Sequence, residues 1–127
     1  MKINQITERV IACAIEVHRT LGPGLLESDY QQSLAREFQL RHLSFERETG
    51  LATEYKGLLI DCAYRMDFVV ENLVVVELKA TEVLLPVHDA QLLTYLRLGG
   101  WKVGLLINFN VKLLKSGIRR LVLGLEE

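Results

Sequence analysis

The segment MDFVVENLVVVELKA, residues 66–80, decides the fold that the rest of the chain must accommodate. Every position from 73 to 78 is apolar except Glu77. A strand with this pattern is apolar on both faces, and such strands lie in the middle of a sheet that is covered on both sides. We therefore predict a buried central strand here, with helices packed on both faces of its sheet.

Three ionisable residues, Asp67, Glu77 and Lys79, interrupt this apolar segment. A buried carboxylate is costly unless it is paired, bound to a cation or placed at an opening of the fold. Glu77 and Lys79 are two positions apart, so on a strand they project from the same face. In the simpler interpretation these two residues form an ion pair and Asp67 is a charge at a strand edge. In the other interpretation all three share a functional site.

The connection after residue 70 decides whether the two acids can meet. A two-residue turn would place Asp67 and Glu77 on opposite faces, because facing alternates at every residue of a strand. A three-residue connection pairs Val70 with Val74 and sets Asp67 directly opposite Glu77. Asn72, within that connection, tolerates the left-handed backbone conformation that such loops need. We predict the three-residue connection.

With this register, Asp67, Glu77 and Lys79 converge on one patch. Two carboxylates a few ångströms apart repel each other and raise one pKa, unless a divalent cation lies between them. Ligand sets made only of oxygen suit hard ions such as Mg²⁺ or Mn²⁺. A lysine beside them can orient or help to deprotonate an attacking water, or hold a phosphate oxygen. The group therefore suits metal-assisted attack on a phosphodiester.

The flanking sequence predicts the element order α-α-β-β-β-α-β-β. Apolar residues recur every three or four positions over 4–21, about 26–41 and 87–98, which are predicted helices. The first two are separated by Gly22-Pro23-Gly24, a helix stop signal. Branched and aromatic composition predicts strands over 45–55, 58–70, 73–78, 101–108 and 118–123.

Length and composition indicate one α/β domain over residues 1–127. Half of the chain is apolar, so it can bury a core without a staple, and intrinsic disorder is excluded. No apolar run approaches the ~20 residues of a membrane span, so we expect no membrane association. The first ten residues lack the apolar segment of a signal peptide. Cys13 and Cys62 have no metal-ligand spacing and indicate no disulfide framework, which favours a cytoplasmic location.

The charges are unevenly distributed although the net charge is only −1. That balance argues against a generic polycation that coats nucleic acid. Residues 90–125, however, contain no acid. This region is either a solvated, slightly basic surface or an edge that faces phosphates. Its bases are Arg97, Lys102, Lys112, Lys115, Arg119 and Arg120.

Spaced motifs along the chain indicate a family. They are Gly24-x-x-Glu27-x-x-Tyr30, Asp67 followed by Glu77-x-Lys79, and Gln91-x-x-x-Tyr95. Over about residues 5–123 the chain resembles the GxxExxY protein family, a branch of the PD-(D/E)XK nuclease superfamily. The resemblance implies a restriction-endonuclease-like α-β-β-β-α-β core, with a mixed central sheet flanked by helices on both faces.

The resemblance also implies residue roles. Asp67 and Glu77 would be metal ligands, joined by Glu27 on the second helix, and Lys79 would be the catalytic lysine. Gln91 would position groups around it. Tyr30 lies on the apolar stripe of its helix, where we expect a core residue with a satisfied hydroxyl. Gln91 and Tyr95 would border the site. The expected nucleic-acid contacts are Tyr95, for which core packing is the alternative, and Lys102, Lys112, Lys115, Arg119 and Arg120.

The function expected from these features is a Mg²⁺-dependent (or Mn²⁺-dependent) nuclease that hydrolyses phosphodiester bonds of DNA and uses no small-molecule cofactor. A homodimer would suit the cutting of two strands. Two alternatives remain open. The same fold could serve as a non-catalytic nucleic-acid-binding or assembly module, or as a purely structural homo-oligomer.

Overall fold

The computed structural model describes residues 1–124, and the predicted order of helices and strands is confirmed. The helices are α1 (Ile3–Leu21), α2 (Glu27–Leu40) and α3 (Pro86–Gly99); the strands are β1 (Phe45–Tyr55), β2 (Leu58–Val70), β3 (Val74–Lys79), β4 (Val103–Asn108) and β5 (Ile118–Val122). A 3₁₀ turn at Leu114–Gly117, which the sequence pattern did not predict, precedes β5. The predicted bounds of the first two strands agree with the structure.

The sheet is mixed and has the strand order β1-β2-β3-β4-β5. Strands β3 and β4 are parallel, and the other neighbouring pairs are antiparallel. A parallel pair requires a crossover connection, which α3 provides. Strand β3 lies at the centre, and all of its residues except Lys79 are buried. The predicted central strand is therefore confirmed.

Helices cover both faces of this sheet. On one face, α1 and α2 pack against alternate residues of β3, Val74 and Val76 among them. On the other face, Leu92 and Leu96 of α3 pack against Val75. The side chains of one strand thus enter two separate apolar clusters. This arrangement confirms the predicted α/β class with helices on both faces.

The connection between β2 and β3 contains three residues, as predicted. Val70 pairs with Val74, and the next pairs continue to Phe68 with Val76. Glu71 and Asn72 have φ angles of 53° and 57°, in the left-handed region. This register places Asp67 and Glu77 opposite each other, immediately beyond the last ladder pair.

Strand β2 changes its facing at Asp67. Phe68 packs with α1 and α2, whereas Met66, two positions earlier, packs with α3. Residues two apart on a regular strand share a face, so the alternation is interrupted between them. On the neighbouring strand β1, Glu48 lies at the matching position and has a φ angle of 53°. The irregularity marks the point where β2 parts from β3 while it stays paired with β1.

Two further observations bear on the expectations from composition. Cys13 is a buried free thiol, and the side chain of Cys62 lies outside the described part of the structure. Among residues 1–124, no helix combines the length and the apolar character needed to cross a membrane.

Candidate functional site

The two acids meet where strands β2 and β3 part. Beyond the pair of Phe68 and Val76, carboxylate oxygens replace backbone carbonyl oxygens as the hydrogen-bond acceptors between the two strands. The backbone N–H of Asp67 donates to Oε1 of Glu77 at 2.8 Å. The backbone N–H of Leu78 donates to Oδ2 of Asp67, also at 2.8 Å. Each carboxylate therefore reaches across to the opposite strand, and the strands diverge without leaving these two N–H groups unpaired.

The same arrangement holds two carboxyl groups in a poorly hydrated position. Glu77 is only 6% exposed. Burial, followed by repulsion from Asp67, raises the pKa of Glu77 to about 8. Burial also raises the pKa of Asp67, against the opposing effect of hydrogen bonds from Leu78 and Gln31. A cation between the two carboxylates would offset both effects.

Lys79 forms no direct ion pair with Asp67 or Glu77. Among the residues that the structure describes, the ion pairs are Arg19–Glu16, Arg41–Glu37 and Arg119–Asp89. The ammonium of Lys79 still lowers the pKa of Asp67 and of Glu77 through space. The simpler interpretation of the motif, an ion pair between Glu77 and Lys79, is therefore not what the structure contains.

Glu27, the first residue of α2, lies at the margin of this site. Burial and then the charge of Asp67 raise its pKa, while Lys79 lowers it. Glu27 is nevertheless exposed. Among the side chains that the structure describes, which leave out residues 62 and 63, no three His, Cys, Asp or Glu groups are close enough together to hold a metal ion. The structure thus provides a pair of carboxylates with a third acid nearby.

Tyr30 explains the spacing of the Gly-x-x-Glu-x-x-Tyr motif. Its hydroxyl donates to the carbonyl oxygen of Gly22 at 2.6 Å and accepts the N–H of Leu25 at 3.1 Å. Its ring is buried and stacks on Phe109, with the centroids 4.5 Å apart. The prediction of a core residue with a satisfied hydroxyl is confirmed. Tyr30 thereby holds the turn that delivers Glu27 to the site.

The Tyr30→Phe variant is expected to lose about 1–2 kcal/mol of unfolding free energy, because both polar groups of the turn lose their partner. Urea unfolding followed by circular dichroism measures this loss. Tyr55→Phe is the matched control, since Tyr55 is 61% exposed. Equal stability of the two variants would show that the hydroxyl does not hold the turn.

Helix α3 reaches the same carboxylates from the other face of the sheet. Burial, then the charges of Glu77 and Asp67, raise the pKa of Tyr95 to about 12, and a hydrogen bond with Gln91 opposes this. Tyr95 is thus close enough to the acids to sense their charges, and Gln91 contacts Tyr95. The ring of Tyr95 is 3% exposed and packs edge-to-face on Tyr64. It therefore lies in the core and not on a surface open to a nucleic-acid base.

The basic residues of the last third do not form one surface. Arg119 and Arg120 are neighbours on β5, so their side chains lie on opposite faces of the sheet. Arg119 pairs with Asp89 of α3, and Arg120 donates to Oδ1 of Asn4 in α1 at 2.8 Å. Lys102 precedes β4, at the end of the sheet remote from Lys79. A single basic edge, one of the two interpretations of this region, is not formed.

Lys112 and Lys115 lie at the end of the sheet that carries the acids. They follow β4, whose last residue, Asn108, pairs with Lys79. Together with Arg19 they line a cleft of about 590 Å³ beside the end of α1. Of the predicted basic contacts, Lys112 and Lys115 follow β4 at the site's end of the sheet, and Arg119 pairs with Leu106, the β4 partner of Glu77.

Gln31 is a site residue that the sequence reasoning missed. Its side-chain Nε2 donates to Oδ1 of Asp67 at 2.9 Å. One signal could have identified it, because Gln31 follows Glu27 by four positions and so lies on the same face of α2.

These features define a class of protein. A mixed sheet covered by helices on both faces, with an Asp and a Glu-x-Lys brought together where two central strands part, is a restriction-endonuclease-like domain. Residues 4–121 match the model of the PD-(D/E)XK nuclease superfamily, and the chain belongs to that superfamily. Its members generally depend on divalent metal ions. No curated protein sequence and no solved structure shows a significant match.

Proposed function

We propose that this chain is a Mg²⁺-dependent (or Mn²⁺-dependent) nuclease that hydrolyses phosphodiester bonds of DNA. The observation that carries the proposal is the meeting of Asp67 and Glu77 at the strand divergence. Lys79 lies beside them with its charge unpaired by any described acid. Groups that served only stability would be expected to neutralise one another by direct contact.

The donors present fit a hard divalent cation. All are carboxylate oxygens, which Mg²⁺ prefers. Oε1 of Glu77 accepts the N–H of Asp67, and the two oxygens of Asp67 accept hydrogen bonds from Gln31 and from the N–H of Leu78. The carboxyl groups of Asp67 and Glu77 also share a hydrogen bond. Asp67 and Glu77 would hold the ion, with Glu27 binding it directly or through water. A bound cation supplies Lewis-acid polarisation of the phosphodiester.

The remaining groups act on the substrate and the attacking water. The ammonium of Lys79 offers three N–H donors, and it lies on the same strand as Glu77. It holds a phosphate oxygen or orients the water, and it stabilises the negative charge that develops in the transition state. Gln91 of α3 positions these groups from the other side of the sheet. Lys112 and Lys115 contact the nucleic-acid backbone.

Four expectations from the sequence remain part of this proposal. The chain acts as one domain over residues 1–127. It pairs as a homodimer when both strands of a duplex are cut. It works in the cytoplasm and without a small-molecule cofactor.

The test is cleavage by the purified chain. Single- and double-stranded DNA, and RNA of the same sequence, are incubated with Mg²⁺, Mn²⁺ or EDTA. We expect DNA cleavage that requires the divalent ion. Calorimetric titration with Mg²⁺ measures binding independently of turnover. A chain that binds no divalent ion and cleaves none of these substrates would refute the proposal.

One observation favours a second candidate, a non-catalytic nucleic-acid-binding or assembly module. Both carboxylates are already hydrogen-bonded to backbone N–H groups, and no described trio of acids forms a metal cluster. The acids would then only complete the edges of the diverging strands. Absence of Mg²⁺ binding, together with DNA affinity that falls steeply as salt rises, would support this candidate.

A further inference from the structure

A chain of hydrogen bonds runs from β1 through α2 to the acid on β2. Nε and Nη2 of Arg47 both donate to Oε1 of Gln31, at 3.1 and 3.0 Å. Nε2 of Gln31 in turn donates to Oδ1 of Asp67 at 2.9 Å. Three elements that are separate in sequence are thereby joined at one carboxylate.

The chemistry of the two outer groups fixes the direction of this chain. A guanidinium only donates hydrogen bonds, and an ionised carboxylate only accepts them. The glutamine between them must therefore turn its carbonyl oxygen to Arg47 and its NH₂ group to Asp67. The reverse orientation would place two donors against each other on one side and two acceptors on the other. Arg47 thus determines which end of Gln31 faces the acid.

Asp67 is consequently held at both oxygens. Gln31 binds Oδ1, and the backbone N–H of Leu78 binds Oδ2. This leaves the carboxylate little freedom to rotate. Partners of this kind orient the ligands of a metal ion, and their removal typically weakens metal binding about 10- to 100-fold.

We propose that Gln31 is a positioning residue for Asp67, with Arg47 fixing the orientation of its amide. The inference rests on the proposed function in one respect, that Asp67 binds a divalent cation. Gln31 belongs to neither the carboxylate pair nor the Glu-x-Lys motif. Its role is to hold a ligand in place, not to contact the reacting atoms.

The test compares two glutamines of the same helix. Gln31→Leu is expected to bind Mg²⁺ about 10-fold more weakly in calorimetry, or worse, because Asp67 loses the donor at Oδ1. Gln32→Leu is the matched control, since Gln32 is the next residue and is exposed. In cleavage assays, Gln31→Leu should need about 10-fold more Mg²⁺ for half-maximal rate and should recover most of the rate at saturation. A purely structural defect would not be corrected by the ion.

A double-variant cycle tests the part played by Arg47. Arg47→Ala should weaken Mg²⁺ binding in the wild-type chain and have no further effect when Gln31 is already leucine. Arg36→Ala makes the same charge change on the outer surface of α2 and should leave Mg²⁺ affinity unaltered. Arg47→Lys keeps a donor-only cation and should restore part of the affinity.

The outcomes separate the two proposals. A wild-type chain that binds no Mg²⁺ overturns both the proposed function and the role of Gln31. A wild-type chain that binds Mg²⁺, with Gln31→Leu binding as tightly as Gln32→Leu, overturns the role of Gln31 alone. Gln31→Met, unbranched and of similar length, replaces Gln31→Leu if circular dichroism shows that the leucine variant is unfolded.

Discussion

The Lys79→Ala variant is expected to cleave DNA about 10³-fold more slowly than the wild-type chain at saturating Mg²⁺. Lys79 is the cation whose charge acts on Asp67, on Glu77 and on Glu27. Its removal takes away the positive group that would face the charge developing on the phosphate. Single-turnover cleavage of a labelled duplex measures the effect on the chemical step.

Other properties of this variant should be nearly unchanged. Lys79 makes no described ion pair, so its loss breaks no direct contact and the fold should persist. Mg²⁺ binding should be retained or become tighter, because a like charge is removed. Lys56→Ala is the matched control, because it removes the same charge at the exposed β1–β2 turn. Cleavage by Lys79→Ala at the wild-type rate would rule out the proposed role of the lysine.

The Glu77→Gln variant is expected to lose Mg²⁺-dependent cleavage and yet to be more stable than the wild-type chain at alkaline pH in EDTA. The pKa of Glu77 is about 8 in the folded chain, against an ordinary value of 4.5. A raised pKa means that the folded state holds the proton more tightly than the unfolded state does. The stabilisation is full below pH 4.5 and is lost as the pH rises through about 8.

At pH 9 the wild-type chain must therefore keep an ionised, buried carboxylate beside Asp67, and the glutamine variant avoids this. We expect a stability advantage on the order of 2 kcal/mol for the variant at that pH. Urea unfolding at pH 5, 7 and 9 measures it. Glu82→Gln, at an exposed position shortly after β3, should follow the wild-type curve. Parallel pH profiles for Glu77→Gln and the wild-type chain would contradict this explanation.

Addition of Mg²⁺ should reverse the order of stability. An ion that binds only the folded state stabilises it by mass action, so the wild-type chain gains and Glu77→Gln does not. Both thermal unfolding midpoints are measured at pH 8 with and without the ion. An equal increase for both proteins would indicate that the ion binds elsewhere.

The central features of the fold were predictable because they depend on local patterns. The apolar run around Glu77 placed β3 at the centre of a covered sheet. The tolerance of Asn72 for a left-handed conformation favoured the three-residue connection. Strand register then follows from the connection alone, so the meeting of Asp67 and Glu77 could be predicted before any coordinates were known.

Contacts between distant elements could not be obtained in this way. The hydrogen bond from Gln31 to Asp67 joins residues 36 positions apart and depends on where α2 crosses the sheet. The cluster of basic residues in the last third of the sequence suggested a single basic surface, which the structure does not contain. Arg119 and Arg120 are adjacent in sequence, but strand alternation separates them in space. Closeness in sequence therefore suggested a larger basic surface than the structure contains.

The residues of the site come from separate helices and strands, and this affects the kinetics of folding. Helix α2 brings Glu27 and Gln31, the diverging strands bring Asp67 and Glu77, and α3 brings Gln91. With Asp67, Glu77 and Glu27 as its proposed ligands, the ion can gain its full set only after α2 has packed on the diverging strands. Mg²⁺ should thus slow unfolding and leave the refolding rate nearly constant. The unfolding half-life in Mg²⁺ would then report on the assembled native topology.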